Sequence, residues 1–561
     1  MPEQPCTLLR GVQVPMRDGV RLATDIFLPG PGSHPVVLVR TAYNKTSAAA
    51  LAFTGKGMAY VSQDVRGRYQ SEGDWYPFIH EAADGFDTLE WIGRQPWCNG
   101  KIGMFGDSYL AATQFLAAPE GSEYLCALNP RFMAGDVWKR AYYCDGVFSL
   151  ALTHSWLCFE VASRTSDAAL WPLFDPGTLL RKLPLLSLDE ACGCAPVPFY
   201  RDYVRHAHYD EFWRTLSIRD KYDRFAMPVL LTAGWYDYYP LEAVTNYLGL
   251  RKHAPTPALR DSHRLLIGPW THGVNPSSTL GQLDFGPRSL TENDATQRWL
   301  ERLLTGEGPA AFQAAPIRLF VMGANEWRDE HEWPLARTRY ERYHLHSGSG
   351  HGGGTLSLAP PAADPPDHFA YDPNDPVPTL GGNHSLGPYN PGLYEIARPG
   401  PFDQRPVEQR DDVLVYTSDA LECDLEVTGS VQLVLHAATS APDTDFVARL
   451  GDVYPDGRSM NLTEGVIRAR FRESVWEEPK LLEPNRIYRY TLDLQVTSNV
   501  FRRGHRIRLD LTSSNFPLWD RNPNTGHEFG MDAEMVIAAQ TIYHDREHPS
   551  ALVLPVVDAR A

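Results

Sequence analysis

No stretch of the 561 residues approaches the about 18 consecutive apolar residues of a membrane-spanning helix, so none is expected to cross a bilayer. The N-terminal MPEQPCTLLRGVQVPMRDG lacks a basic n-region and an apolar h-region; no signal peptide is expected, and a cytoplasmic location is predicted. Cysteine is scarce: 8 residues at irregular spacings exclude a disulfide scaffold and are expected as thiols. Cys192 and Cys194 are separated by one residue, short of the gap found in zinc ribbons and redox motifs. With no second pair to complete a site, neither a metal nor a cofactor is expected. Basic residues are outnumbered, 52 against 69 acidic, and the formal charge of −17 repels phosphate backbones and anionic membranes. Nucleic acid and membranes are therefore not expected partners; the charge itself identifies no small-molecule substrate, and a homo-oligomer is compatible with the composition.

What is present is ordinary globular protein, 43% hydrophobic and 22% charged, long enough for about three domains. Over roughly the first 130 residues, short apolar runs alternate with helical patterns, as βαβ units do. PVVLVRTAY (Pro35–Tyr43) and MAYVSQDVRG (Met58–Gly67) read as buried strands, EAADGFDTLEWIGRQ as a helix, and KIGMFGDS as a further strand. From about Asp136 to Asp220 an aromatic, helix-like region broken by Pro172, Pro176, Pro184, Pro196 and Pro198 reads as an insertion. The alternation returns at MPVLLTAGWYD (Met227–Asp237) and HRLLIGPWTHG (His263–Gly273). After about residue 315, IRLFVMG and six further short alternating runs predict an all-β sandwich, best described as a jelly roll. SGSGHGGGT and ADPPDHFAYDPNDPVPTLGG, between its early strands, are compatible with flexible linkers or with long ordered loops packed on the first domain.

The sharpest local signal is Gly106-Asp107-Ser108-Tyr109-Leu110-Ala111, directly after the KIGMF strand and opening the helix former ATQFLAA. A serine at a tight strand-to-helix turn projects its Oγ beyond the sheet, and the helix N-terminus behind it favours developing negative charge. Leu110 stands in the last place of the usual G-x-S-x-G, so the string alone is weak. Its context is stronger. A serine needs a histidine to take its proton, and that histidine needs a carboxylate to orient it. Asp237 follows VLLTAG and His272 follows RLLIG, each just past a strand end and in the order Ser, Asp, His. Among 19 histidines, His80, His154, His206, His208 and His253 lie in helical or inserted segments, and His263 begins a strand. Asp220 and Asp223 precede the strand that Asp237 follows. The oxyanion needs two donors: the Tyr109 N–H supplies one, and Tyr43, at the end of an early strand, stands where the other is normally found.

These residues resemble the cocaine esterase-like and X-Pro dipeptidyl-peptidase-like (CocE/NonD) α/β-hydrolases over nearly the whole chain. VPMRDGVRLATDIFLP, RTAYNK, DVRGRYQSEGDW, PWCNGKIGMFGDSYLAATQ, GWYD and GPWTHG are similar to the family's successive catalytic motifs. GPFDQRPVEQRDDVLVYTS and FRRGHRIRLDLTSSNFPLWDRNPNTG are similar to its C-terminal domain. The resemblance implies an α/β-hydrolase core at 1–135 and 226–314, a helical cap at 136–225 and a jelly roll at 315–561. It makes Ser108 the nucleophile, His272 the general base and acid, Asp237 its orienter, and Tyr43 and Tyr109 the oxyanion donors.

Two departures bear on substrate. Asp107 beside Ser108 brings a charge expected to hinder anionic substrates. Members that bind a free substrate amine carry acidic residues just after the triad aspartate, whereas Asp237 is followed by Tyr238, Tyr239 and Pro240. An apolar or aromatic acyl pocket is expected instead, walled by Tyr239 and by Trp156 of the cap. The expected activity is a serine carboxylesterase working through an acyl-enzyme. An amidase, acylase or X-Pro dipeptidyl-peptidase is the enzymatic alternative, and a jelly-roll binding protein with an inactive hydrolase domain the non-enzymatic one.

Overall fold

The computed structural model describes residues 6–558 apart from 168, 170–172, 193–194, 309–311, 313–314, 349–351 and 388–391. Pro172 and Cys194, named above, lie outside the described residues. Ten strands build the first sheet: β1 (Thr7–Pro15), β2 (Arg21–Leu28), β3 (His34–Thr41), β4 (Ala59–Asp64), β5 (Cys98–Asp107), β6 (Leu125–Arg131), β7 (Leu230–Gly234), β8 (Arg264–Gly268), β9 (Ile317–Val321) and β10 (Glu326–Glu330). Their order is β1-β2-β4-β3-β5-β6-β7-β8-β9-β10, parallel from β4 to β9 with antiparallel edges. Strand β3 shows why its run is apolar throughout. Val36 and Leu38 pack with Leu89, Ile92 and Phe115 on one face, while Val37 and Val39 pack with Phe53 and Leu304 on the other. A parallel sheet covered on both faces requires this. Helices α1 (Glu81–Gly93) and α2 (Tyr109–Ala117) approach closely because Gly85 has no side chain; a Cβ there would lie 2.5 Å from that of Ala117.

The chain leaves the sheet after Arg131 and returns at Leu230. Between these lie α3 (Leu150–Ser155), a π turn at Trp156–Glu160 and α4 (Pro198–Arg205), around an aromatic core in which Tyr203 meets Tyr142 at 4.7 Å and Trp213 at 4.8 Å. The strands from Thr338 onward form a separate eleven-stranded, predominantly antiparallel sheet system, the all-β domain. The run IRLFVMG, expected to open the sandwich, instead supplies β9, paired in parallel with β8, and EWRDE adds β10. A five-residue apolar strand carries no mark of which sheet it joins; the long partner edge of β8 decides.

The seam between the two sheet systems is stitched by backbone bonds, Met322 N–H to Ser498 at 3.0 Å and Val500 N–H to Met322 at 2.8 Å. The Pro-rich stretch adopts the ordered alternative: its continuation brings Asn383 Nδ2 onto the Trp235 carbonyl beside β7. Cap and jelly roll meet at Asp520, which accepts from Phe148 N at 2.8 Å and, with Asp445, from the buried Arg468 guanidinium at 2.9–3.0 Å. Breaking a buried pair leaves uncompensated charge, typically at a cost of about 3–5 kcal/mol. Arg468→Met is therefore expected to lower the urea midpoint of the chain markedly, and an unchanged midpoint would remove this triad from the forces seating the cap.

Candidate active site

Strand β5 ends and α2 begins at Ser108, whose φ of 57° and ψ of −123° form the strained turn anticipated from Gly-Asp-Ser. Gly106 is required, since a Cβ there would stand 2.4 Å from that of Leu110. Ala111 fits the crowded helix start and donates its N–H to the Ser108 carbonyl at 2.8 Å. As the first helical residue, Tyr109 has no intrahelical acceptor for its own N–H.

Its phenol is anchored. Tyr109 OH donates to Glu81 Oε1 at 2.7 Å and accepts from Phe78 N at 3.0 Å, while Arg40 pairs with Glu81 at 2.6 Å. All three side chains are buried, so the nucleophile turn is tied to the start of α1 by a charge-assisted chain.

From β7 and β8 come Asp237 and His272. Asp237 is fully buried, and both its oxygens lie 3.1 Å from His272 Nδ1. Its Oδ1 also accepts from Tyr238 N at 2.8 Å and from Ser385 Oγ at 2.7 Å. Burial alone would lower the His272 pKa; the charge of Asp237 and its hydrogen bond outweigh burial, and the net shift is upward. Ser108 and His272 share one cavity of about 30 Å³ with Tyr43, Tyr109, Tyr239, Trp156, Phe78, Tyr142, Met133 and Leu152. That volume holds a water or two. An acyl group of aromatic size therefore requires a wall to move.

Tyr43 accepts from Trp156 Nε1 at 2.9 Å. Burial, then the charge of Glu160, pushes its pKa far above the ordinary phenol value, so it remains a donor at neutral pH. Trp156 thus both walls the cavity and orients Tyr43. Tyr239 also lies in the wall, its ring 5.7 Å from that of His272, whereas Tyr238 packs away from the cavity beside His384. The charge of Asp107 is offset more than expected. Arg131 pairs with it, and the guanidinium stacks 4.5 Å above Phe105.

Sequence reasoning missed five contributors. Ser385, 148 positions from Asp237, comes from the Pro-rich linker. Glu81 carries no motif of its own, and Arg40, the first residue of RTAYNK, has no role assigned to it by that motif. Glu160 ends the π turn, and burial pushes its carboxyl up to about 7, against the opposing charges of Arg68 and His272. Arg68 fixes that turn, donating to Ala42 O at 2.8 Å and Glu160 O at 2.9 Å, and so joins the Tyr43 loop to the cap. The π turn that Glu160 ends is a backbone feature that no residue pattern announces, of a kind that clusters at functional sites.

A parallel sheet with a serine at a strained strand-to-helix turn and a buried Asp–His pair at later strand ends defines the chain as an α/β-hydrolase-type serine hydrolase. The family model for X-Pro dipeptidyl-peptidase (S15 family) matches residues 18–274, and that for the X-Pro dipeptidyl-peptidase C-terminal non-catalytic domain matches 310–553. Cocaine esterase of Rhodococcus sp. (strain MB1 Bresler) is 39% identical over 97% of this chain and 98% of its own. An α-amino acid ester hydrolase structure superposes with a TM-score of 0.85 at 27% identity, covering 99% of this chain and 97% of that one. The aminopeptidase of a marine sediment Thaumarchaeota archaeon gives 0.84 at 25%, with the same coverage. The chain belongs to the cocaine esterase-like, X-Pro dipeptidyl-peptidase-like CocE/NonD hydrolase family. Among the described residues, no helix is long and apolar enough to cross a membrane.

Glu160 supplies a test of the electrostatics. Its ionised carboxylate favours the imidazolium, so Glu160→Gln is expected to move the His272 titration to lower pH, followed by the ring Cε1–H resonance and assigned with His272→Gln. An unmoved titration would show that Glu160 does not act on His272.

Proposed function

We propose that the chain is a serine carboxylesterase in which Ser108, His272 and Asp237 form the triad and Tyr43 OH and Tyr109 N–H hold the oxyanion. The observation that carries this reading is that His272 joins the buried Asp237 to the cavity that Ser108 also lines. Ser108 Oγ bonds to the ester carbonyl carbon as His272 Nε2 takes its proton, and the carbonyl oxygen becomes the oxyanion. The C–O bond to the alcohol breaks as His272 returns the proton to the leaving oxygen. Water then attacks the acyl-enzyme by the same route and releases the carboxylic acid.

Supporting an ester over an X-Pro peptide, none of the described residues lining the cavity is acidic, so none of them holds a free substrate amine. The likeness to cocaine esterase supports the same side. Phe78, Tyr142, Trp156 and Tyr239 support an aromatic or apolar acyl group. A cytoplasmic setting is proposed on the thiols: among the described residues, Cys6, Cys98, Cys126, Cys144 and Cys423 stand outside any disulfide.

Phenyl esters are expected to turn over far faster than matched amides or X-Pro anilides, with turnover and fluorophosphonate labelling both lost in Ser108→Ala. Labelling that survives in Ser108→Ala, or a preference for the X-Pro anilide, would overturn the reading. Removal of one oxyanion donor costs about 100- to 1000-fold in kcat, so Tyr43→Phe is expected to fold and label but turn over that much more slowly. Unchanged turnover would take Tyr43 out of the mechanism.

A further inference from the structure

Between the first sheet and the jelly roll lies a second cavity, of about 190 Å³, far roomier than the catalytic one. Its walls are mixed: Phe285 and Met322 on one side and Tyr454, Met460 and Leu462 on the other give it an apolar and aromatic face, and Asn325, Asn499 and Asp452 bring polar groups beside them. His505, only 9% exposed, belongs to this wall. Its Nδ1 lies 2.8 Å from Asp452 Oδ1, and its ring sits 4.4 Å from that of Tyr454. Nε2 is the ring's remaining polar atom and has no partner among the described residues. An imidazole that donates Nδ1–H to a carboxylate offers Nε2 as an acceptor.

The arrangement is half of a catalytic dyad without a nucleophile, since among the described residues no serine, threonine or cysteine lines this cavity. That points to binding. A cavity of about 150 Å³ lined by apolar side chains is already large enough to take up benzene. This one has room for a single ring with a short substituent, and polar atoms to meet it: His505 Nε2, with Asn325 Oδ1 and Asn499 Nδ2 also open to a partner. The charges argue against an anion. Asp452 and Asp284 both line the space, and the Arg502 guanidinium is already engaged by Gly323 O at 2.7 and 3.0 Å and by Asp424 at 2.7 Å.

We propose that the seam cavity is a second ligand site, for a compact aromatic or similarly apolar molecule bearing one hydroxyl, which donates to His505 Nε2 while its body packs on Met322, Met460 and Tyr454. The site is independent of the catalytic reading. Its occupant would touch Tyr236, the neighbour of Asp237, and brace the two sheet systems against each other.

Methionine methyl groups report on both cavities, because Met322 and Met460 line the seam and Met133 the catalytic space. The full chain, ¹³C-labelled at methionine methyls, would be titrated with benzyl alcohol, toluene and benzoate. Benzyl alcohol is expected to give saturable shifts at Met322 and Met460 with about tenfold tighter binding than toluene, one hydrogen bond's worth, and benzoate none. In His505→Phe, which keeps an aromatic ring against Tyr454, the alcohol and toluene are expected to bind alike. Equal binding of alcohol and toluene to the unaltered protein, shifts confined to Met133, or no shift up to the solubility limit would each overturn the proposal. The three probes on the unaltered chain decide it even where His505→Phe does not fold.

Discussion

A carboxylate removed from water must be paired and hydrogen-bonded, or its desolvation cost is not recovered. Asp237 is fully buried and meets that constraint with groups from three places: the adjacent Tyr238 amide, His272 from the end of β8, and Ser385 from the linker that leads into the jelly roll. Much of the architecture follows from this. The sheet places two strand ends side by side, and the linker must fold back over them. The jelly roll has to lie against the sheet because its linker is pinned there, at Asn383 as well as Ser385.

The cap answers the complementary problem on the other side of Ser108. An oxyanion hole works best where water is excluded and the donors are held in place. Trp156 closes the cavity and donates to Tyr43, while Arg68 binds the Tyr43 loop and the π turn together. The Arg40–Glu81–Tyr109 chain does the same for the nucleophile turn from below. The resulting space is small, so catalysis and substrate admission make opposite demands on one aromatic wall.

Much of the core was legible because its signals are local. The continuous apolar run Val36–Val39 and the glycine-serine turn into ATQFLAA are written in neighbouring residues. Other features escaped because identical local patterns serve different neighbours. IRLFVMG reads as a strand of either sheet, and only the free edge of β8 assigns it. The charge of Asp107 is met by Arg131, 24 positions away, a pairing that no local pattern marks.

The sequence by itself determined the order of the catalytic motifs, the strand ends that carry them and the aromatic character of the pocket, since each depends on residue identity and short-range periodicity. Only the tertiary structure decided that Ser385 completes the shell of Asp237, that Glu160 stands within electrostatic reach of His272, and that His505 and Asp452 face a cavity at the seam. The reason is physical. Electrostatic coupling and hydrogen bonding act over ångströms of space, and segments far apart in the chain are brought within that range only when separate sheets pack.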